Sequence, residues 1–190
     1  LNISLGGDED VPCTRSIIDQ AAEEAIENGI VVVVAAGNSD GRHSIPPANS
    51  PSVITVGGYQ DRNQLYHSNF GPTADGTVKP EIVAPAMWVA APLLPNTDLY
   101  HRAEKLSQLA AAGNTDVNAA LQDLKIVATH YQHVEGTSFA APIVTSIVAQ
   151  MIEANPSLTP GTIKNILIST ADRIAGAPAI RQGFGVVNAA

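Results

Sequence analysis

The chain has 190 residues, 18 acidic against 10 basic side chains and a formal net charge of −8, so it offers no cationic stripe to displace counterions from phosphates, which argues against a nucleic-acid partner. Its single cysteine, Cys13, excludes an intrachain disulfide and a cysteine-based zinc centre, and its polar loop setting reads as a bland surface or half-buried thiol. Apolar residues make up 45% but aromatics only 4%; a core of Val, Ile, Leu and Ala suits an α/β fold with a mostly parallel sheet buried on both faces.

Leu1 to Leu5 reads as a short strand ending at Gly6-Gly7. It is already under way at Leu1 and has no initiator Met, so we read the chain as a piece of a longer protein. No signal-peptide pattern is present, and no run approaches the roughly 18 unbroken apolar residues of a membrane span. Asp8 to Thr14 is a polar loop, in which Asp8 and Asp10 flank Glu9 as a solvated acidic group. Ile17, Ile18, Ala21, Ala22, Ala25 and Ile26 recur on one helical face, and Gly29 stops that helix. Ile30 to Ala35 lacks polar alternation, as a central parallel strand does. Strand, helix and strand form a right-handed βαβ unit by default.

That second strand runs out into Ala35-Ala36-Gly37-Asn38. Ligands of open parallel sheets bind beyond the carboxyl ends of the strands, so Asn38 sits where chemistry would sit. It is either a turn residue or an amide donor aimed at a substrate. Residues 39–51 are rich in turn chemistry, and Pro46-Pro47 is a candidate cis bond. Val53 to Val56 is a third strand. Leu65 to Gly71 reads as an edge strand or bend, and Glu81 to Ala84 as a strand stopped by Pro85. From about Pro95 to His130 comes a helical excursion. Ala103, Leu106, Leu109 and Ala110 mark one helix, Val117 to Leu124 a second, and Lys125 to Thr129 a strand. Thr159-Pro160 opens the final helix as a cap followed by proline at the first helical position.

The stretch between these elements that carries most chemistry is Gly136-Thr137-Ser138-Phe139-Ala140-Ala141-Pro142. It leads into an apolar helix from Phe139 to Ala154, with Ser138 in or near its first turn. A helix N-terminus carries unpaired N–H groups and partial positive charge. Ser138 is therefore either an ordinary cap or a nucleophile whose developing oxyanion those groups hold.

This stretch resembles the nucleophile motif of the subtilisin-like serine proteases, although that family more often has Met at Phe139 and His at Ile143. Ala35-Ala36-Gly37-Asn38 resembles the family's oxyanion-hole segment, and Ser4-Leu5-Gly6-Gly7 the strand lining its substrate cleft. Pro47-Ala48 through Pro51-Ser52-Val53-Ile54-Thr55-Val56-Gly57 is similar to the segment after the oxyanion asparagine. Asn69-Phe70-Gly71-Pro72, Lys79 to Pro85, and Gly183-x-Gly185-x-x-Asn188-Ala189 are similar to later segments, in the same order.

The resemblance implies a three-layer, subtilisin-like α/β sandwich, incomplete at its N-terminal side, and acyl transfer from a peptide substrate. Ser138 would be the nucleophile. Asn38 and the Ser138 N–H would be the oxyanion donors, and Thr137 would support the hole. Ser4, Leu5, Gly6, Ala35, Ala36 and Gly37 would wall the pocket for the residue before the scissile bond. Extended backbone at Ser4 to Gly6 could pair with a substrate strand.

The family's aspartate and histidine motifs are absent. His43, His67, His101, His130 and His133 all lack the required context, and His133, five residues before Ser138, reads as a bystander. We expect the missing base upstream of Leu1, this chain alone to be inactive, and its open sheet edge to seek the missing part of the domain or to self-associate. The chemistry requires no cofactor. Structural calcium is implied by resemblance alone, on backbone carbonyls of Ala48, Ser50 and Val53. The excursion at 95–130 would shape the leaving-group side of the cleft or serve only as a surface insertion. An extracellular or cell-envelope location is what the family implies. The competing function is a non-catalytic scaffold of the same fold; retention of both Ser138 and Asn38 favours the protease.

Overall fold

The structure is a computed structural model that describes residues 1–7, 9, 11–60 and 64–189. The expectation for Asp8 and Asp10 lies outside the described residues. The chain divides into two compact units, Leu1–Met87 with Gly136–Ala190, and Trp88–Glu135.

The first unit opens with β1 (Asn2–Ile3), α1 (Ile17–Glu27), β2 (Val33–Ala35), β3 (Ile54–Gln60), β4 (Gln64–Leu65), β5 (Gly71–Pro72), β6 (Val78–Lys79) and β7 (Ile82–Pro85). The second holds β8 (Val89–Pro92), α2 (Asp98–Ala111), α3 (Asn118–Asp123), β9 (Ile126–Ala128) and β10 (Tyr131–Val134). The chain then returns to the first unit with α4 (Thr137–Ala154), α5 (Pro160–Thr170) and α6 (Ala179–Gln182).

β1, β2, β3 and β7 form a parallel sheet in that spatial order, with Asn2 opposite Val33, Val33 opposite Ile54 and Val56 opposite Ile82. β4 folds back antiparallel on the end of β3. The valine run explains the layering, because successive side chains of a strand point to opposite faces. Val31, Val33 and Ala35 join Ala140, Ala141, Val144 and Val148 of α4 and Ile163 and Leu167 of α5 in one core cluster. Val32 and Val34 join Ala22 of α1, Ala48 and Val53 in another. Helices on both faces of a parallel sheet make the expected three layers. By length and composition α4 is apolar enough to cross a membrane, which the search for unbroken apolar runs did not register; here it packs on the sheet through its buried residues.

β5 pairs with β6 in a small hairpin around Asp75-Gly76. One local expectation changes: the buried face of α1 is rotated. Ile17 is 83% exposed and Ile18 44%, whereas Asp19 and Ala22 are buried. The residues that meet the sheet are Ala22, Ala25 and Ile26, and the position one turn before Ala22 on that stripe is Asp19. Ser16 caps α1 by accepting from the Asp19 N–H at 3.2 Å, but neither Asp19 carboxylate oxygen has a hydrogen-bond partner. Burial pushes its pKa up to about 6, with Glu23 and Asp75 adding repulsion against the Ser16 contact. Cys13 is half-buried, and burial raises its thiol pKa, so it is a poor thiolate.

In the second unit, β8, β10 and β9 form an antiparallel sheet in that order. The strand expected at Lys125 to Thr129 is thus one arm of a hairpin. Thr97 caps α2 by accepting from the Tyr100 N–H. His133 is engaged within this unit: its Nδ1 lies 2.9 Å from Trp88 O, and its ring meets the Trp88 ring edge to face.

Candidate active site

Ser138 is the second residue of α4, whose cap position is Gly136 with no side-chain cap. The ordinary-cap reading of Ser138 therefore does not hold: its hydroxyl is inside the first turn, not ahead of it. The position before it demands glycine, since Gly136 has φ +134° and ψ 154°, a region accessible essentially to glycine alone. Ser138 Oγ lies 3.5 Å from the Ser4 carbonyl.

Asn38 follows β2 and faces the same turn. Its Oδ1 accepts from the Thr137 N–H at 2.8 Å and from the Thr137 hydroxyl at 2.9 Å. The Thr137 Oγ1 in turn accepts from the Gly37 N–H at 3.1 Å. A backbone N–H can only donate, so these bonds fix which end of the amide is oxygen and leave Nδ2 as the donor end. The first-turn N–H of Ser138 has no intrahelical acceptor by geometry. Two donors thus stand beside one hydroxyl at the positive end of a helix.

Ser4, Leu5, Gly6, Ala35, Ala36, Gly37, Asn38, Thr137 and Ser138 all line one cleft of about 340 Å³, at the carboxyl ends of β1 and β2. Ser39, Ile45 and Asn69 complete the lining, to which no histidine or charged side chain belongs among the described residues. Sequence reasoning did not single out these three. Asn69 braces the turn after β2: its Oδ1 accepts from Ser39 N–H at 2.9 Å and its own N–H donates to Gly37 O at 3.0 Å. A side chain on Gly37 would meet Asn69 Nδ2 at 2.8 Å. Ile45 Cδ1 lies 3.3 Å from where a Gly6 Cβ would be, which places this aliphatic group against the pocket wall. The Asn69-Phe70-Gly71 match was the available signal for the brace; Ile45 carried none. The Pro46–Pro47 bond is cis, as is Lys79–Pro80.

Ala48, Ser50 and Val53 lie away from the cleft, and their carbonyls do not fit the cation expected there. Val53 O accepts from Lys164 Nζ at 2.8 Å and from Lys79 Nζ at 3.2 Å. Ala48 O accepts from the Thr55 hydroxyl at 2.6 Å. Lys164 Nζ also reaches Pro51 O at 2.8 Å and Glu81 Oε1 at 2.7 Å, using three acceptors. Glu81 Oε1 also accepts from Lys79 at 2.6 Å, and its Oε2 accepts from the Thr55 N–H at 2.8 Å. Burial pushes the Lys79 pKa down to about 8 even with Glu81 beside it. Two ammonium groups thus stand on the Val53 carbonyl, one of the three expected to hold a cation, and a further positive charge there would be repelled. The neighbouring Glu23 is engaged too. Burial raises its pKa, but bonds from Ser50 and Ser52 outweigh that and hold it below the usual range.

A parallel α/β sandwich with a serine at a helix N-terminus facing an oriented amide defines a class of acyl-transfer hydrolase folds, and comparison with known proteins narrows the class. Residues 1–186 match the subtilase family, and the chain belongs to it. It is 32% identical, over its whole length, to the serine protease AprX of Bacillus subtilis (strain 168), covering 41% of that protein. It is 31% identical to an extracellular protease of Xanthomonas campestris pv. campestris, covering all of this chain and 27% of that one. The crystal structure of a cold-adapted subtilisin-like serine proteinase matches 98% of this chain and 52% of its own, with a TM-score of 0.63 and 24% identity, which speaks for the fold. The chain spans about half or less of the length of these relatives.

Proposed function

We propose that the full-length protein containing this chain is a serine endopeptidase that cleaves polypeptides through an acyl-enzyme on Ser138. The Ser138 hydroxyl attacks the scissile carbonyl carbon as a general base removes its proton. Asn38 Nδ2 and the Ser138 N–H stabilise the oxyanion of the tetrahedral intermediate. Collapse expels the amine, and water then hydrolyses the ester. The observation that carries this reading is the Asn38 amide, held donor-side out by Thr137 beside Ser138.

The base and the carboxylate that orients it come from residues outside this chain, since the cleft lining includes no imidazole among the described residues. By itself this chain is inactive. Exposed Leu1 and Leu5, flanking edge strand β1, support a further part of the same domain packing there, or self-association when that part is missing. A substrate segment runs along Ser4 to Gly6, and the lining, uncharged among the described residues and with Ile45 in its wall, favours an uncharged side chain before the scissile bond. The Xanthomonas relative is named as an extracellular protease, in line with an extracellular or cell-envelope site of action.

A fluorophosphonate tests the reading. It should label Ser138 of the folded full-length protein, spare Ser138→Ala, and leave residues 1–190 alone unmodified. A folded full-length protein that resists labelling would favour the scaffold function.

A further inference from the structure

Pro142 sits inside α4, four residues after Ser138. It has no N–H to give the Ser138 carbonyl in the i→i+4 pattern, and a proline ring crowds the carbonyl four residues earlier. The residue in question is the one that carries the hydroxyl at the cleft. Ser138 O is met from another element: Ser4 Oγ, just beyond β1, lies 3.0 Å away.

A carbonyl only accepts, so the Ser4 hydroxyl proton is directed at it. Ser4 Oγ must then accept from its other neighbour, and Asn2 Nδ2 stands at 3.0 Å. That orientation turns Asn2 Oδ1 away from Ser4, where the Thr145 hydroxyl of α4 meets it at 3.0 Å. The Thr145 hydroxyl also lies 3.0 Å from Ala141 O, so its one proton is shared between that carbonyl and Asn2 Oδ1; from there Asn2 donates to Ser4 and Ser4 to Ser138 O. The chain begins and ends on α4, two turns apart, and passes through β1.

We infer that Asn2, Ser4 and Thr145 form a positioning set that holds the Ser138 backbone in place of the helix hydrogen bond Pro142 cannot make. The inference rests on the reading of Ser138 as nucleophile and adds a second role for Ser4 beside that of a pocket wall. The Ser138 N–H, one of the two oxyanion donors, belongs to the same residue, so a carbonyl that drifts alters both the attack angle of Oγ and the aim of that donor.

The test is a double-mutant cycle in the full-length protein, read by the rate of fluorophosphonate labelling and by kcat and KM on a peptide substrate. Ser4→Ala keeps the backbone that faces substrate and removes only the hydroxyl. It should lower kcat and the labelling rate about five- to tenfold, the worth of one hydrogen bond, with KM changed less than about twofold. Pro142→Ala supplies the missing N–H. In that background the further loss from Ser4→Ala should shrink to less than about twofold. Thr145→Val should cause a smaller loss of the same kind, also relieved by Pro142→Ala, and it serves if Ser4→Ala does not fold. An effect of Ser4→Ala confined to KM, or one of equal size with and without Pro142, overturns the inference while leaving the nucleophile in place. A folded wild-type protein that never labels overturns the nucleophile reading, and this inference with it.

Discussion

Two polar clusters in the first unit, built on neighbouring strands, use their hydrogen-bonding capacity in opposite ways. Around Glu81, two lysine ammonium groups, a backbone N–H and two carbonyls are joined to one another beneath the surface. Around Ser138, only the orienting bonds are made: Asn38 Oδ1 is fully engaged by Thr137, while its Nδ2 and the Ser138 hydroxyl face the cleft. The first cluster is buried and closed, and its worth lies in stability. The second is half-exposed and lines the cleft. Unpaired polar groups cost little where water can reach them, so a cleft can hold donors ready that a core cannot.

Breaking the closed cluster should have the largest effect on folding. Glu81→Gln removes the carboxylate that both ammonium groups contact, leaving only the more distant Glu23 as counter-charge to Lys79, and should destabilise the full-length protein by about 3 kcal/mol in urea denaturation. A loss below about 1 kcal/mol would mean that the lysines escape to solvent and that the cluster is not closed.

Breaking the open cluster should affect chemistry instead. Asn38→Asp keeps the oxygen that accepts from Thr137 and loses the donor. Peptide hydrolysis should fall about 10²–10³-fold with the midpoint of unfolding nearly unchanged. That range is known from the side-chain donor of subtilisin itself and is not read from this geometry. Comparable losses of activity and stability would show that Asn38 acts as a structural tie.

Asp19 sharpens the contrast, because it is buried like the first cluster but unpaired like the second. Its carboxyl keeps a proton up to about pH 6 when folded, against an ordinary value of 3.8. Between those limits the native state binds more protons than the unfolded one, so stability rises as pH falls from about 6 to 4, by at most about 3 kcal/mol. Asp19→Asn should remove that dependence and stabilise the protein at pH 7. Denaturation midpoints of both proteins at pH 4, 5, 6 and 7 check it, and parallel curves would refute it.

The sheet was legible because its signal is local. The unbroken run Ile30 to Ala35 reads as a central strand, and the cores on the two sides of its valines follow from alternation. The turn that opens α4 was legible for the same reason: glycine at 136 and an apolar helix after it constrain the backbone within a few residues. The face of α1 was misjudged because Ile17 and Ile18 outweighed Asp19 in the pattern, whereas the sheet engages the stripe through Ala22 and Ile26. The cation site failed for a different reason. Backbone carbonyls carry no side-chain signature, and the lysines that donate to the Val53 carbonyl come from β6 and α5.

The sequence by itself determined the family, the parallel sheet and the residues that gather at the ends of β1 and β2, since each depends on short-range pattern and backbone freedom. Tertiary structure decided what each polar group does there. It alone brought Thr137 onto Asn38, 99 residues earlier, to fix the amide, and Ser4 onto Ser138 O, 134 residues later, beside a proline that could not bond it. Hydrogen bonds act over about 3 Å, and only the folded chain determines which distant groups come that close.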